Sequence, residues 1–154
     1  MKKITGLEYR VNDKERGYPA LYHYDRLNQA EIFCRRLCDY FIKNGIVYHQ
    51  TSCSLEREMF VIYVEEAPGE TVFRDELAYK HVTLEIRMNS ENEESKLLKT
   101  LELFSHDEVL SLLGNDFLQI EGLEEYEFKK TSAEIDEDRS TYVLYVELTG
   151  EKFN

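Results

Sequence analysis

Two short segments alternate apolar and charged residues in the same way: LEYRVN at residues 7–12 and LEIRMN at residues 84–89. Leu7, Tyr9 and Val11 point one way, with Glu8 and Arg10 opposite. Leu84, Ile86 and Met88 repeat this, with Glu85 and Arg87 opposite. A period of two is the signature of a strand with one buried face. Two further segments, FVIYVEE at 60–66 and YVLYVEL at 142–148, are apolar on both faces at their centres. Such strands sit inside a sheet, covered on each side.

The pairing of these segments extends to a repeat. At an offset of 77, residues 7–31 align without a gap on residues 84–108, with six of 25 pairs identical. The matched positions share local physics as well as identity. Asn28-x-x-Glu31 and Ser105-x-x-Glu108 both read as capping boxes, in which a side-chain oxygen caps free N–H groups and a glutamate reaches back. Leu27 and Phe104, just before the caps, are placed to staple onto Ile32 and Val109. The offset then drifts to 80 at Thr51-Ser52 against Thr131-Ser132, and to 82 for the tyrosine-bearing strands, as loop insertions would produce.

Each copy therefore reads strand, strand, helix, strand, strand. In the first copy the elements fall at about 3–12, 18–24, 29–44, 46–53 and 58–65. In the second they fall at about 80–89, 96–103, 106–113 or longer, 124–132 and 140–148. Val109, Leu112, Leu113, Phe117 and Ile120 keep a helical period, whereas Gly114-Asn115-Asp116 resembles a stop. The expected fold is α+β: a tandem ββαββ duplication, with antiparallel sheets that each carry one helix. One copy is too small to cover its central strand, so the two pack with pseudo-two-fold symmetry as subunits of a symmetric dimer do. The boundaries are 1–66, a linker at 67–78 around Pro68 and Gly69, and 79–154, forming one globular unit.

Composition narrows the classes. The 154 residues are 42% apolar and 32% charged, an ordinary globular balance with enough chain for one core. No apolar run reaches eighteen residues, and MKKITGLEYR lacks the apolar stretch of a signal peptide. Three cysteines, without such a signal, point to reduced thiols and a cytoplasmic location. The net charge of −12 is uneven: residues 1–77 carry −2 and residues 78–154 carry −10. A field of that sign repels phosphate backbones and anionic lipid, which argues against nucleic-acid and membrane partners. A basic protein partner is compatible with it, as is a homodimer.

Candidate chemistry is sparse. Cys34, Cys38, His49 and Cys53, with His23 nearby in sequence, could converge on a zinc ion. The alternative is simpler. Leu27, Ala30, Cys34, Leu37, Cys38 and Phe41 form one apolar stripe of a helix, where cysteine behaves as a small hydrophobe. Glu31, Arg35, Arg36, Asp39 and Lys43 lie elsewhere on it. The second copy offers Ser111 and Asn115 at the cysteine positions. The EIDED run, 134–138, lacks the spacing of a calcium loop, and Asp136 to Asp138 read as a solvated hairpin turn between the last two strands. His106, just inside a helix start, reads as a surface residue. No motif for nucleophile, P-loop, zinc protease or dinucleotide is present, so nothing argues positively for an enzyme and no cofactor is expected.

Two surfaces suit interaction: the acidic Glu121, Glu124, Glu125 and Glu127, and the tyrosine side of the second strand, Tyr18, Tyr22 and Tyr24. The expectation is a small cytoplasmic, non-catalytic protein-interaction or regulatory module. The alternative is a ligand sensor or enzyme with a pocket between the two repeats.

Overall fold

The strands assemble edge to edge into one ten-stranded sheet with two helices on one side, in a computed structural model that describes residues 3–70, 77–90 and 95–152. In chain order the elements are β1 (Gly6–Val11), β2 (Ala20–Tyr24), α1 (Gln29–Arg36), β3 (Tyr40–Lys43), β4 (Ile46–Glu56) and β5 (Met59–Glu66). They continue with β6 (Thr83–Met88), β7 (Leu97–Glu102), α2 (His106–Leu113), β8 (Phe117–Leu118), β9 (Tyr126–Asp136) and β10 (Thr141–Lys152). The sheet runs β2-β1-β5-β4-β3-β9-β10-β6-β7, with β8 adding to β9 off this path. The doubly apolar strands β5 and β10 are interior, as their composition demands.

Two expectations need correction. The sheet is single and mixed, where separate antiparallel sheets were expected: β1 with β5, β6 with β10 and β3 with β9 are parallel pairs. The first helix stops at Arg36 and does not run to residue 44. Tyr40-Phe41-Ile42-Lys43 is a strand because Asn44-Gly45 turns it back on β4, with both residues at positive φ (53° and 75°). That Asn-Gly pair is a tight hairpin signal, and it outcompetes the helical period that Phe41 happens to continue. The same step in the second half gives β8 from Phe117, past a helix that ends at Leu113 before Gly114.

The helix starts follow the expected caps only in part. Asn28 caps Ala30 N–H at 2.8 Å, but Glu31 turns to Arg35 (3.2 Å) and does not reach back. Ser105 makes no side-chain cap, and Glu108 instead accepts from Phe104 N–H at 2.9 Å.

The core lies between the sheet and the paired helices. Leu7, Tyr9, Ile62, Leu84, Leu144 and Val146 rise from the sheet to meet Ile32, Cys34, Val109 and Leu113. Tyr9 stacks on Phe41 with centroids 4.0 Å apart, while Tyr24 meets Tyr9 edge-on. The helices touch directly, since the Cys34 thiol donates to the carbonyl of His106 at 3.2 Å. On the far face, Glu85 and Arg87 were expected at the polar side of a half-buried strand, yet both are buried, Glu85 completely. The Tyr79 hydroxyl closes over Glu85 (2.8 Å) and the Ser95 carbonyl over Arg87 (2.9 Å). Among the described residues no helix is long and apolar enough to cross a membrane.

Candidate functional site

The two halves of the sheet meet where β3 runs parallel to β9, pairing Tyr40 with Glu134, Phe41 with Ile135 and Ile42 with Asp136. The contact begins at Asp39, whose N–H donates to Ala133 O (2.8 Å) while its carboxylate accepts from Ala133 N–H (2.9 Å). Strand alternation sends Phe41 and Ile135 toward the helices and leaves Tyr40, Ile42, Glu134 and Asp136 on the far face.

Residues 137–140 do turn between β9 and β10, with Asp138 exposed as expected, but Asp136 ends β9 and the EIDED run also stitches the two halves together. Glu134 and Asp136 are buried. Asp136 takes Arg139 Nε at 2.8 Å. Glu137 accepts from Lys43 Nζ at 2.7 Å and from the Tyr24 hydroxyl at 2.6 Å, with Arg35 at 3.4 Å. Asp138 accepts the N–H groups of Asn44 (2.7 Å) and Gly45 (2.9 Å), the β3–β4 turn. Arg35, placed off the apolar stripe of the helix, is itself buried and donates to Tyr9 and Glu31.

Beside this seam, on the far face, lies a cleft of 390 Å³. Tyr40, Ile42 and Val47 come from one half, Ser132, Glu134 and Tyr145 from the other, and Glu70, Asn89, Ser90 and Ser95 rim it. Glu134 is only 6% exposed. One of its carboxyl oxygens takes the Tyr145 hydroxyl, and the other has no hydrogen bond among the described residues. Burial pushes its pKa up to about 7 against the pull of the Tyr145 hydrogen bond, with Asp136 adding to the rise. The same burial, together with Glu134, raises the Tyr145 phenol.

Next to the cleft stands a closed ion network. Glu85 receives both terminal nitrogens of Arg139 (3.0 and 3.1 Å) and Arg87 Nε at 2.8 Å. Its burial opposes ionisation, but these donors outweigh it and hold the carboxyl below its ordinary value. Arg139 and Arg87 are thereby engaged within the fold.

Under the helices a second, smaller pocket of 230 Å³ is bordered by Arg35, Glu31, His106 and Tyr142. His106 is half-buried where a surface position was expected: its ring packs edge-on against Tyr142 at 5.8 Å and its Nε2 lies 3.6 Å from Glu31. Burial lowers its pKa, in opposition to Glu31. The Tyr142 hydroxyl is closed to water and has no partner among the described residues.

The remaining sequence candidates do not converge. Cys34 and Cys38 are buried, and burial pushes the Cys34 thiol up to about 12 and the Cys38 thiol up as well, which makes neither a ready nucleophile. Cys53 and His49 are exposed on β4, and His23 is exposed on β2 beside Asp25 (2.7 Å). Among the described residues no three His, Cys, Asp or Glu side chains gather to hold a metal ion. Glu121, Glu124 and Glu125 are exposed in the loop before β9, with Glu127 half-buried. Tyr22 and Tyr24 pack at the core edge, while Tyr18 is partly exposed against Tyr63. Glu134 was visible in the sequence only as part of the EIDED run, and Tyr145 was not singled out; the signal that could have found the site was a glutamate alternating into a strand beside apolar Ile135. Comparison with known protein families, curated proteins and solved structures finds no match.

Proposed function

We propose that this chain is a non-catalytic regulatory module that binds a small molecule in the cleft where its two halves meet. The observation that carries this is Glu134: a nearly buried carboxyl, half satisfied by Tyr145, at the wall of a cavity built from both halves. Its second oxygen is unpartnered among the described residues but not closed to water, and since Glu134 lines the cleft it is available to a ligand's donor. A cavity with a few convergent polar groups and a perturbed carboxyl is the usual form of a ligand site.

The scaffold for such a site is a tandem duplication with approximate two-fold symmetry, comprising residues 1–66 and 79–154. Its support lies in details that recur in both halves. The first strand of each is antiparallel to the second and parallel to the last. Arg10 and Arg87 each bind the glutamate two residues earlier at 2.8 Å. Asn12 N–H reaches Val64 O, and Asn89 N–H reaches Val146 O, both at 2.8 Å. Thr51 and Thr131 each sit in a strand irregularity, with the hydroxyl on the carbonyl of Tyr63 or Tyr145 at 3.1 Å.

A second reading is a docking edge for a basic protein at Glu121, Glu124, Glu125 and Glu127, favoured by the exposure of the first three. Native mass spectrometry of protein isolated from its own cells separates the two. A retained small molecule that is lost in Glu134→Gln is the expected result. A co-isolated basic protein, retained in Glu134→Gln and lost on charge reversal at Glu124 and Glu125, would replace the cleft reading with the second.

A further inference from the structure

We infer that the ligand of the seam cleft is a small organic cation, a protonated amine held by Glu134 and Glu70 between the rings of Tyr40 and Tyr145. This rests on the cleft reading above and adds the chemical class.

The lining itself selects the charge. Among the described lining residues the ionisable groups are two carboxylates and two phenols, and no lysine, arginine or histidine is present. Beside the cleft, the guanidinium groups of Arg87 and Arg139 are committed to Glu85, Asp136 and the Ser95 carbonyl. An anionic ligand would meet two carboxylates with no compensating cation among the described lining residues, an arrangement that is repulsive at the reduced dielectric of a cleft. A neutral ligand could use the hydroxyls of Ser90, Ser95 and Ser132 but would leave the free oxygen of Glu134 with a weaker donor. An ammonium supplies a charge-assisted hydrogen bond to that oxygen. It also lies well against aromatic rings, and both Tyr40 and Tyr145 border the cavity. The volume of 390 Å³ is within the range of small-molecule sites.

Binding is then linked to a proton. Glu134 faces Tyr145 directly, Asp136, Glu85 and Arg139 on its own side of the seam, and Tyr40 and Cys38 across it. In the empty cleft its carboxyl titrates near 7. The ammonium binds the ionised form, so below that pH the proton leaves Glu134 for solvent as the cation enters.

The test uses three probes of one length: 1,5-diaminopentane, pentane-1,5-diol and glutarate, titrated calorimetrically into the full chain at 0.15 M salt. The diamine is expected to bind saturably while the diol and glutarate do not. Its affinity should fall about tenfold from pH 8 to pH 6, following the ionised fraction of a group that titrates near 7. Glu134→Gln should abolish binding at both pH values while keeping a cooperative thermal transition. Because Glu134→Gln removes a single charge from a chain of net −12, diffuse attraction of the diamine to the acidic surface would survive it. Binding that does survive it overturns the proposal. Preference for the diol or glutarate, lost in Glu134→Gln, overturns the cation class and leaves the cleft intact. Binding of none of the three overturns the inference. If native mass spectrometry also finds no retained small molecule, the cleft reading falls with it.

Discussion

Two carboxyls three residues apart, Glu134 and Glu137, carry opposite consequences for stability. Glu137 is half-buried, yet Lys43, Tyr24 and Arg35 outweigh that burial and hold its pKa below the ordinary value of 4.5. Its contribution is therefore present above the unfolded pKa and lost as pH falls through the folded one. Glu134 has its pKa raised from 4.5 to about 7, so between those values the folded chain binds a proton that the unfolded chain does not. Its contribution is full below the unfolded pKa and is lost as pH rises through the folded one. A shift of that size corresponds to a loss of about 3 kcal/mol, with most of the change between pH 5 and pH 7. Urea denaturation at pH 5 and pH 7.5 checks this. Glu134→Gln should flatten the difference between the two pH values, and an equal difference in variant and parent would show that Glu134 does not titrate in this window.

At the scale of elements, the hairpin β3–β4 decides where the halves can join. β3 exists because Asn44 and Gly45 both adopt positive φ, and Asp138 from the other half binds both of their N–H groups. Gly45→Val places a β-branched side chain at φ +75°, a region that costs such residues on the order of 1–2 kcal/mol. A Cβ there meets nothing within 4 Å, so the cost is conformational and not a clash. The expected result is a lower thermal midpoint, while Gly45→Asn, which tolerates the left-handed region, should retain most of it. Equal midpoints for parent and Gly45→Val would mean that the turn is not held as described. This hairpin also marks the limit of what the sequence made legible. The alternation in LEYRVN and LEIRMN was readable, because a period of two survives any packing partner. The helix was overextended because Cys34, Cys38 and Phe41 keep a helical spacing that a strand with a preceding bend can mimic. Periodicity also separates two faces without saying which one meets water. Glu85 and Arg87 looked solvated for that reason and became buried under Tyr79 and Ser95. The cleft at Glu134 could not be read, because its walls come from segments about ninety residues apart that only the β3–β9 pairing brings together.

At the scale of the molecule, one sheet passes through a junction of only three residue pairs, Tyr40 to Ile42 against Glu134 to Asp136. So few ladder bonds would not hold two independent units together. The junction has support beyond its ladder: beneath it Phe41 and Ile135 share one core with α1 and α2, and across the seam Lys43, Arg35 and Asp138 bind the opposite half. Each half alone would expose an apolar helix flank and a strand edge, with fewer than 80 residues to cover them, a length at which a single core is marginal. If duplication placed the two subunits of a dimer in one chain, the covalent link is dispensable for recognition but not for effective concentration. Fragments 1–72 and 73–154, made separately, should each lack a cooperative unfolding transition by circular dichroism. Mixed at micromolar concentration, they should regain one whose midpoint rises with concentration. Glu137→Ala in the second fragment should weaken that complementation, because it leaves the buried Arg35 of the first fragment without its partner across the seam. Fragments that fold independently and ignore each other would mean that the halves are separate domains joined in passing, and the cleft between them could not then be the site around which the molecule is built.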